Sequence, residues 1–229
     1  MEQAKVILVT GANRGIGYEI CRQLSNRDHT VLLTARNREQ GRKAAEELEA
    51  VFCRLDVTDQ DSIDQAVEFV AQKHGRLDVL INNAGIMIDD SNTAKNADMD
   101  TIKKTLDVNL YGPLRLSQRF LPLLRESDDP RIINISSGMG AICHGYGADH
   151  PSYRISKSAL NALTRALAED LKDEGFRINA VSPGWVHTDM GGKAAPRDPE
   201  QGADTPVWLA TADEIPTGTF VRDREPRSW

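Results

Sequence analysis

The sequence predicts a single-domain α/β protein, a doubly wound parallel sheet of six to seven strands flanked by helices. Short Val/Ile-rich runs recur along the 229 residues, segments of helical period separate them, and no repeat or Pro/Ser-rich linker divides the chain. Strands alternating with helices imply βαβ units and a parallel sheet. The first run, Val6 to Val9, leads into a helix with Ile16, Ile20 and Leu24 on one face. Runs at Val31 to Leu33, Val51 to Leu55 and Val79 to Ile81 follow, then a long helical segment from about Met99 to Arg125. Ile132 to Ile135 is the next strand, and a helix with Leu160, Leu163, Leu167 and Leu171 facing the sheet leads to Ile178 to Val181. Ile88 to Asp98 and Gly191 to Gly202 are the soft segments; the second, within about residues 188–204, is long enough to be a substrate lid.

Composition narrows the function. With 40% hydrophobic and 27% charged residues the chain is an ordinary globular protein, which excludes disordered and collagen-like classes. Lys and Arg number 28 against 34 Asp and Glu, a net charge of −6. That balance lacks the footprint of a nucleic-acid or anionic-membrane binder, so the expected partner is a small molecule. Cys21, Cys53 and Cys143 are widely spaced without C-x-x-C and read as buried thiols of a reducing cytosol. The first apolar run is too short for a signal peptide or a membrane span, which places the protein in the cytoplasm. His144, His150 and His187 form no metal spacing, and no metal is expected.

The first strand ends in Thr10-Gly11-Ala12-Asn13-Arg14-Gly15-Ile16-Gly17, and a helical pattern begins at once. Glycines there let the backbone approach a pyrophosphate, and the helix N-terminus offers unpaired N–H groups and the positive end of its dipole. The spacing is G-x-x-x-G-x-G rather than the G-x-G-x-x-G dinucleotide fingerprint. Further along stand Asn82-Asn83-Ala84-Gly85 after the fourth strand, Tyr153-Arg154-Ile155-Ser156-Lys157, and Pro183-Gly184 after the sixth.

Together these motifs resemble the short-chain dehydrogenase/reductase family, from about Lys5 to the C-terminus. Pro183-Gly184-Trp185-Val186-His187-Thr188-Asp189-Met190 and the tail from Phe220 to Trp229 look most like its NADPH-dependent carbonyl reductases. The resemblance implies a Rossmann-type fold and a nicotinamide cofactor. The contacts it implies come from Gly11, Asn13, Arg14, Gly15, Ile16 and Gly17, from Val57, from Asn83, Ala84 and Gly85, and from Pro183, Gly184, Val186 and Thr188. Asp56 matches the family position that holds the adenine amino group; otherwise it would cap the helix near Ser62. Thr188 would bond the carboxamide or phosphate side of the cofactor.

An acid at the end of the second strand would bond a ribose 2′-hydroxyl and repel a 2′-phosphate. The strand instead runs Val31-Leu32-Leu33-Thr34-Ala35-Arg36. Arg36 can fork onto a phosphate, with Arg14 meeting it from the other side, so the expected cofactor is NADP(H).

Tyr153 and Lys157, at i and i+4, lie on one face of a helix start. They follow a strand ending in Asn134-Ile135-Ser136-Ser137, at the edge where doubly wound sheets bind ligands. Adding hydride to a carbonyl creates an alkoxide that needs a proton; tyrosine supplies it, and a nearby ammonium is expected to lower its pKa. By the resemblance, Ser137 rather than Ser136 bonds the substrate carbonyl, Asn109 holds a water of the proton relay, and Lys157, with Tyr153, also binds the nicotinamide ribose. Asn82 reads as a strand-end residue bracing the sheet.

Ser137 and Tyr153 are slightly farther apart than is usual in the family, and the extra residues, Cys143 to Pro151, would form a loop beside the substrate pocket. Met139, Cys143, His144, Tyr146, Trp185 and Met190 would give that pocket an apolar lining suited to a ketone, aldehyde or quinone. The expected activity is reversible hydride transfer between NADP(H) and a carbonyl or alcohol. The alternatives are a catalytically silent NADPH-binding regulatory protein of the same fold and a nucleotide-sugar epimerase, whose glycine spacing and length fit less well. Ala159, Ala162 and Ala166 form a second stripe on the Tyr153 helix. With Leu114, Phe120 and Leu121 as a neighbouring surface, it points to a homodimer or homotetramer.

Overall fold

The computed structural model describes residues 4–89, 93–143 and 147–229. His144 and Tyr146 lie outside the described residues. One sheet holds eight strands in the order β3-β2-β1-β4-β5-β6-β7-β8. They are β1 (Val6–Val9), β2 (Thr30–Ala35), β3 (Val51–Arg54), β4 (Val79–Asn82), β5 (Arg131–Ile135), β6 (Arg177–Val181), β7 (Thr219–Arg222) and β8 (Glu225–Arg227). The first seven are parallel, and β8 returns antiparallel on β7 as an edge. β8 exceeds the expected count because its three residues, Glu-Pro-Arg, are exposed and carry no apolar signal.

Helices α1 (Gly15–Ser25), α2 (Arg38–Glu47), α3 (Gln60–His74), α4 (Met99–Leu106), α5 (Gly112–Leu124), α6 (Pro151–Asp170) and α7 (Pro199–Thr211) complete the fold. Alternation along the strands divides the core. Ile7, Val9, Leu33, Ile81 and Val181 pack under α1, α2 and α7 through Ile20, Leu24, Ala44 and Val207. Leu8, Leu32, Leu80, Ile132 and Ile178 face α3, α5 and α6 through Ile63, Val70, Phe120 and Ala168. Each such apolar side chain, fully withdrawn from water, contributes roughly 1.5–3 kcal/mol.

Two expectations change in detail. On α6 the buried face carries Leu160, Asn161, Thr164 and Ala168, while Leu163 and Leu167 are half-buried. Polar residues turn inward because they have partners there: Asn134 Nδ2 donates to Thr164 Oγ1 at 2.9 Å, and Ser136 Oγ donates to Asn161 Oδ1 at 2.6 Å. The segment from Met99 to Arg125 is interrupted by a π-helical turn over Asp107–Tyr111, and Phe120 points into the core rather than outward. In the segment expected as a lid, Asp198 caps α7, so the stretch from Pro199 onward is helical and Gly202 is buried.

The strand order reverses between β1 and β4, which places a crevice at the carboxyl ends of those strands.

Candidate active site

The crevice begins at the glycine turn. Gly11 and Gly15 adopt φ of +62° and +59°, where a side chain would be strained. A Cβ on Gly17 would overlap Asn83 Nδ2 and approach the Gly11 carbonyl at 2.9 Å, so the turn is packed against the loop after β4. Thr10, to which the motif assigns no role, clasps the two strand ends. Its hydroxyl accepts from Asn83 N and Ala84 N, each at 2.9 Å, while Asn83 Nδ2 donates to the Thr10 carbonyl at 2.8 Å.

Arg14 occupies the N-cap of α1 without a side-chain cap bond, so the first-turn N–H groups that open onto the turn, at Gly15, Ile16 and Gly17, suit an anion. Asn13 reaches Gln40 at 3.2 Å. Arg36 is exposed, and Arg14 pairs with Asp189 at 2.6 Å, across the turn from Thr188. A Cβ on Gly15 would lie 3.4 Å from Thr188 Cγ2, which brings the segment after Pro183 and Gly184 over the glycine turn. Val186 bridges to Arg197 and Thr188 Oγ1 accepts from Gly191 N at 3.1 Å, bracing that segment. Asp56 accepts from Thr58 N and Oγ1, and the cap of α3 is Asp59, not Asp56. Val57 is buried against Gly112.

β5 and α6 supply the rest. Tyr153 is 8% and Lys157 4% exposed, and Lys157 Nζ lies 5.6 Å from the Tyr153 ring centroid. Burial raises the Tyr153 phenol above its ordinary value, and a hydrogen bond with Ser137 offsets only part of that. The expected lowering by the ammonium is therefore reversed: Lys157 Nζ donates to the Ile135 carbonyl at 2.7 Å and sits over the ring. Burial also brings the lysine down to about 8. Ser136 is spent on Asn161, which leaves Ser137 facing Tyr153. Asn82 Nδ2 donates to Asn134 Oδ1 at 2.8 Å, bracing β4 to β5.

Asn109 is fully buried in the π-helical turn. Its Oδ1 accepts from Ile86 N at 2.8 Å, and its Nδ2 donates to the Ile86 carbonyl at 2.8 Å and to Ser156 Oγ at 3.0 Å. A Cβ on Gly85 would lie 3.4 Å from Asn109 Oδ1 and 3.6 Å from Lys157 Nζ, so the strand end and the two polar side chains converge. Ile88, Ile142, Trp185 and Met190 are exposed apolar residues. Met139 is half-buried, and Cys143 is an exposed thiol rather than a buried one because its loop lies at the surface. Among the described residues, no helix is long and apolar enough to cross a membrane.

Known proteins resemble this chain in sequence and in fold. The short chain dehydrogenase family model matches residues 5–199. The chain is 35% identical to (+)-neomenthol dehydrogenase of Arabidopsis thaliana, over 98% of each chain. It is 32% identical to NADPH carbonyl reductase 1 of Bos taurus, again over 98% of each. A crystal structure of NADPH-bound carbonyl reductase from chicken fatty liver superposes with a TM-score of 0.89 at 32% identity, covering 99% of this chain and 100% of the other. By sequence along nearly its whole length and by fold, the chain belongs to the short-chain dehydrogenase/reductase family.

Proposed function

We propose that this NADP(H)-dependent oxidoreductase interconverts an apolar ketone, aldehyde or quinone and its alcohol, with Tyr153 as the acid in reduction. The observation that carries the reading is the buried Tyr153 hydroxyl bonded to Ser137 with Lys157 beneath its ring. The residues present fit the cofactor: a glycine turn without room for a Cβ at Gly17, an uncapped helix N-terminus, and arginines at 14 and 36 where an acid would exclude a 2′-phosphate. Asn13, Gly15, Ile16 and Gly17 would hold the pyrophosphate side, Asp56 and Val57 the adenine, Asn83 to Gly85 the ribose side, and Pro183, Gly184, Val186 and Thr188 the carboxamide side.

When bound, the reduced nicotinamide supplies the hydride that reaches the carbonyl carbon. Ser137 donates a hydrogen bond to the carbonyl oxygen and fixes its orientation. Tyr153 Oη then gives that oxygen its proton, and the raised phenol pKa keeps the proton in place at neutral pH. Lys157, still largely protonated below about pH 8, stabilises the phenolate left behind and would bond the ribose hydroxyls of the bound cofactor. Asn109 holds the turn from which a water refills the relay. Ile142, Trp185 and Met190 offer apolar contact to a substrate without charge, and the part of the expected lid at about 188–204 that precedes α7 would cover it.

The reading also includes a cytoplasmic location, supported by three free thiols, and self-association through α6, where Ala162 and Ala166 are exposed. Its test is NADPH oxidation, followed by absorbance, across a panel of carbonyl compounds. Tyr153→Phe should keep NADPH binding and lose at least ~10² in kcat; near-normal turnover would overturn the assignment.

A further inference from the structure

We propose that Asp89 is a positioning residue that sets Tyr153 in register with the strand end carrying Gly85. Four other helices are capped by the residue immediately before them: α2 by Asn37, α3 by Asp59, α4 by Asp98 and α7 by Asp198. α6 departs from this. Its N-cap is His150, held at φ +50° with no side-chain cap bond, and its first residue, Pro151, has no N–H. The next two amides are taken by a carboxylate from a distant part of the chain. Asp89 Oδ1 accepts from Ser152 N at 3.1 Å and Oδ2 accepts from Tyr153 N at 2.9 Å.

Asp89 stands four residues beyond Gly85, and Ile86, at the other end of that short segment, is clamped as well. Asn109 pairs with both the N–H and the carbonyl of Ile86 and donates to Ser156 Oγ, which in turn donates to the Tyr153 carbonyl at 2.7 Å. The segment from Ile86 to Asp89 is therefore tied twice to the first turn of α6, once through each side of the Tyr153 peptide. A carboxylate is well suited to the second tie. Its two oxygens hold two successive peptide planes at once, and its charge opposes the positive end of the helix. A cap from the local chain would stabilise α6 equally but would leave its start free to shift against β4. Proton donation depends on that alignment, since displacement of a reacting group by about 1 Å can cost as much as 10² in rate.

The inference rests on Tyr153 being the acid, and the experiment separates the two. Asp89→Ala should lower kcat at least about tenfold with the NADPH Kd within twofold. It should also raise the primary isotope effect measured with NADPH deuterated at nicotinamide C4. Asp89→Asn, which keeps one acceptor oxygen for one of the two amides and loses the other and the charge, should be intermediate, with a several-fold loss in kcat. Asp98→Ala, which removes the cap of α4, is the control: it should lower Tm by a similar amount and leave kcat unchanged. If Asp89→Ala folds poorly, Asp89→Asn carries the test, with a several-fold loss in kcat at unchanged Kd as the expected result. An inactive Tyr153→Phe beside an Asp89→Ala or Asp89→Asn enzyme of normal kcat overturns the role of Asp89 alone. An active Tyr153→Phe overturns both readings.

Discussion

Lys157 gives the site a measurable signature in stability as well as in rate. Its ammonium is buried with one neutral acceptor, the Ile135 carbonyl at 2.7 Å, and with no carboxylate partner among the described residues. Burial brings its pKa from 10.5 to about 8, a difference that weighs against the charged form by roughly 3 kcal/mol. The folded value lies below the unfolded one, so between about pH 8 and 10.5 the unfolded chain binds a proton that the folded chain has released. Stability from this group therefore rises with pH, by roughly 2–3 kcal/mol between pH 7 and pH 10. Lys157→Met removes the charge and keeps the length. At any single pH the gain is offset by the Ile135 carbonyl left without its donor, about 1–3 kcal/mol, so the pH dependence is the informative quantity. Urea unfolding of wild type and variant across this range should show their difference moving in favour of the wild type by roughly 2–3 kcal/mol. A difference constant to within about 0.5 kcal/mol, at most a quarter of the expected change, would refute the reasoning.

Two further outcomes follow from the cofactor end. Gly17→Ala would push Asn83 Nδ2 off the Thr10 and Gly11 carbonyls, to which it donates at 2.8 and 3.2 Å, costing about 1–3 kcal/mol in stability. It should also raise the NADPH Kd at least tenfold in a fluorescence titration, and an unchanged Kd would count against the packing argument. Arg36→Asp should shift the NADPH-to-NADH ratio of kcat/KM by about a hundredfold towards NADH, the scale of one charge-assisted hydrogen bond lost; an unchanged ratio would remove Arg36 from the 2′-phosphate site.

Six strands were legible because parallel strands in the sheet interior are short apolar runs, as Ile7 to Val9 is and as Ile132 to Ile135 is apart from Asn134. β7, with two buried residues, and the exposed β8 carry too little of that pattern to stand out. Tyr153, Lys157 and Ser137 were legible because a helical spacing and a strand end are local features, and the structure brings all three together. What escaped is long-range. Nothing near Asp89 signals that its carboxylate meets amides 63 and 64 residues away. Likewise nothing near Asn161 signals Ser136, so the inward face of α6 was read from its leucines. Periodicity reports which way a residue points, whereas a polar side chain turns inward only if a partner from elsewhere is waiting.

The two edges of the sheet handle charge in opposite ways. At the edge remote from the glycine turn, buried charge is paired. Arg131, 1% exposed, joins Lys5 and Arg177 around Asp129 and donates to the Leu209 carbonyl at 2.8 Å. Burial alone would raise the Asp129 carboxyl, but the Arg131 and Lys5 contacts outweigh it and bring the group to about 2. Asp78 there accepts from Val6 N and Ser127 Oγ, joining β1 to the turn before β5. At the edge beside the glycine turn, buried polar side chains satisfy one another, through Asn82 to Asn134 to Thr164 and through Ser136 to Asn161, and Lys157 is buried there with no carboxylate partner among the described residues. An acid beside Lys157 would relieve the burial penalty, yet it would also neutralise the field that a phenolate at Tyr153 needs. On the proposed mechanism, the missing counter-ion destabilises the fold where it would favour the reaction, while the paired charges at the opposite edge hold the strand ends together.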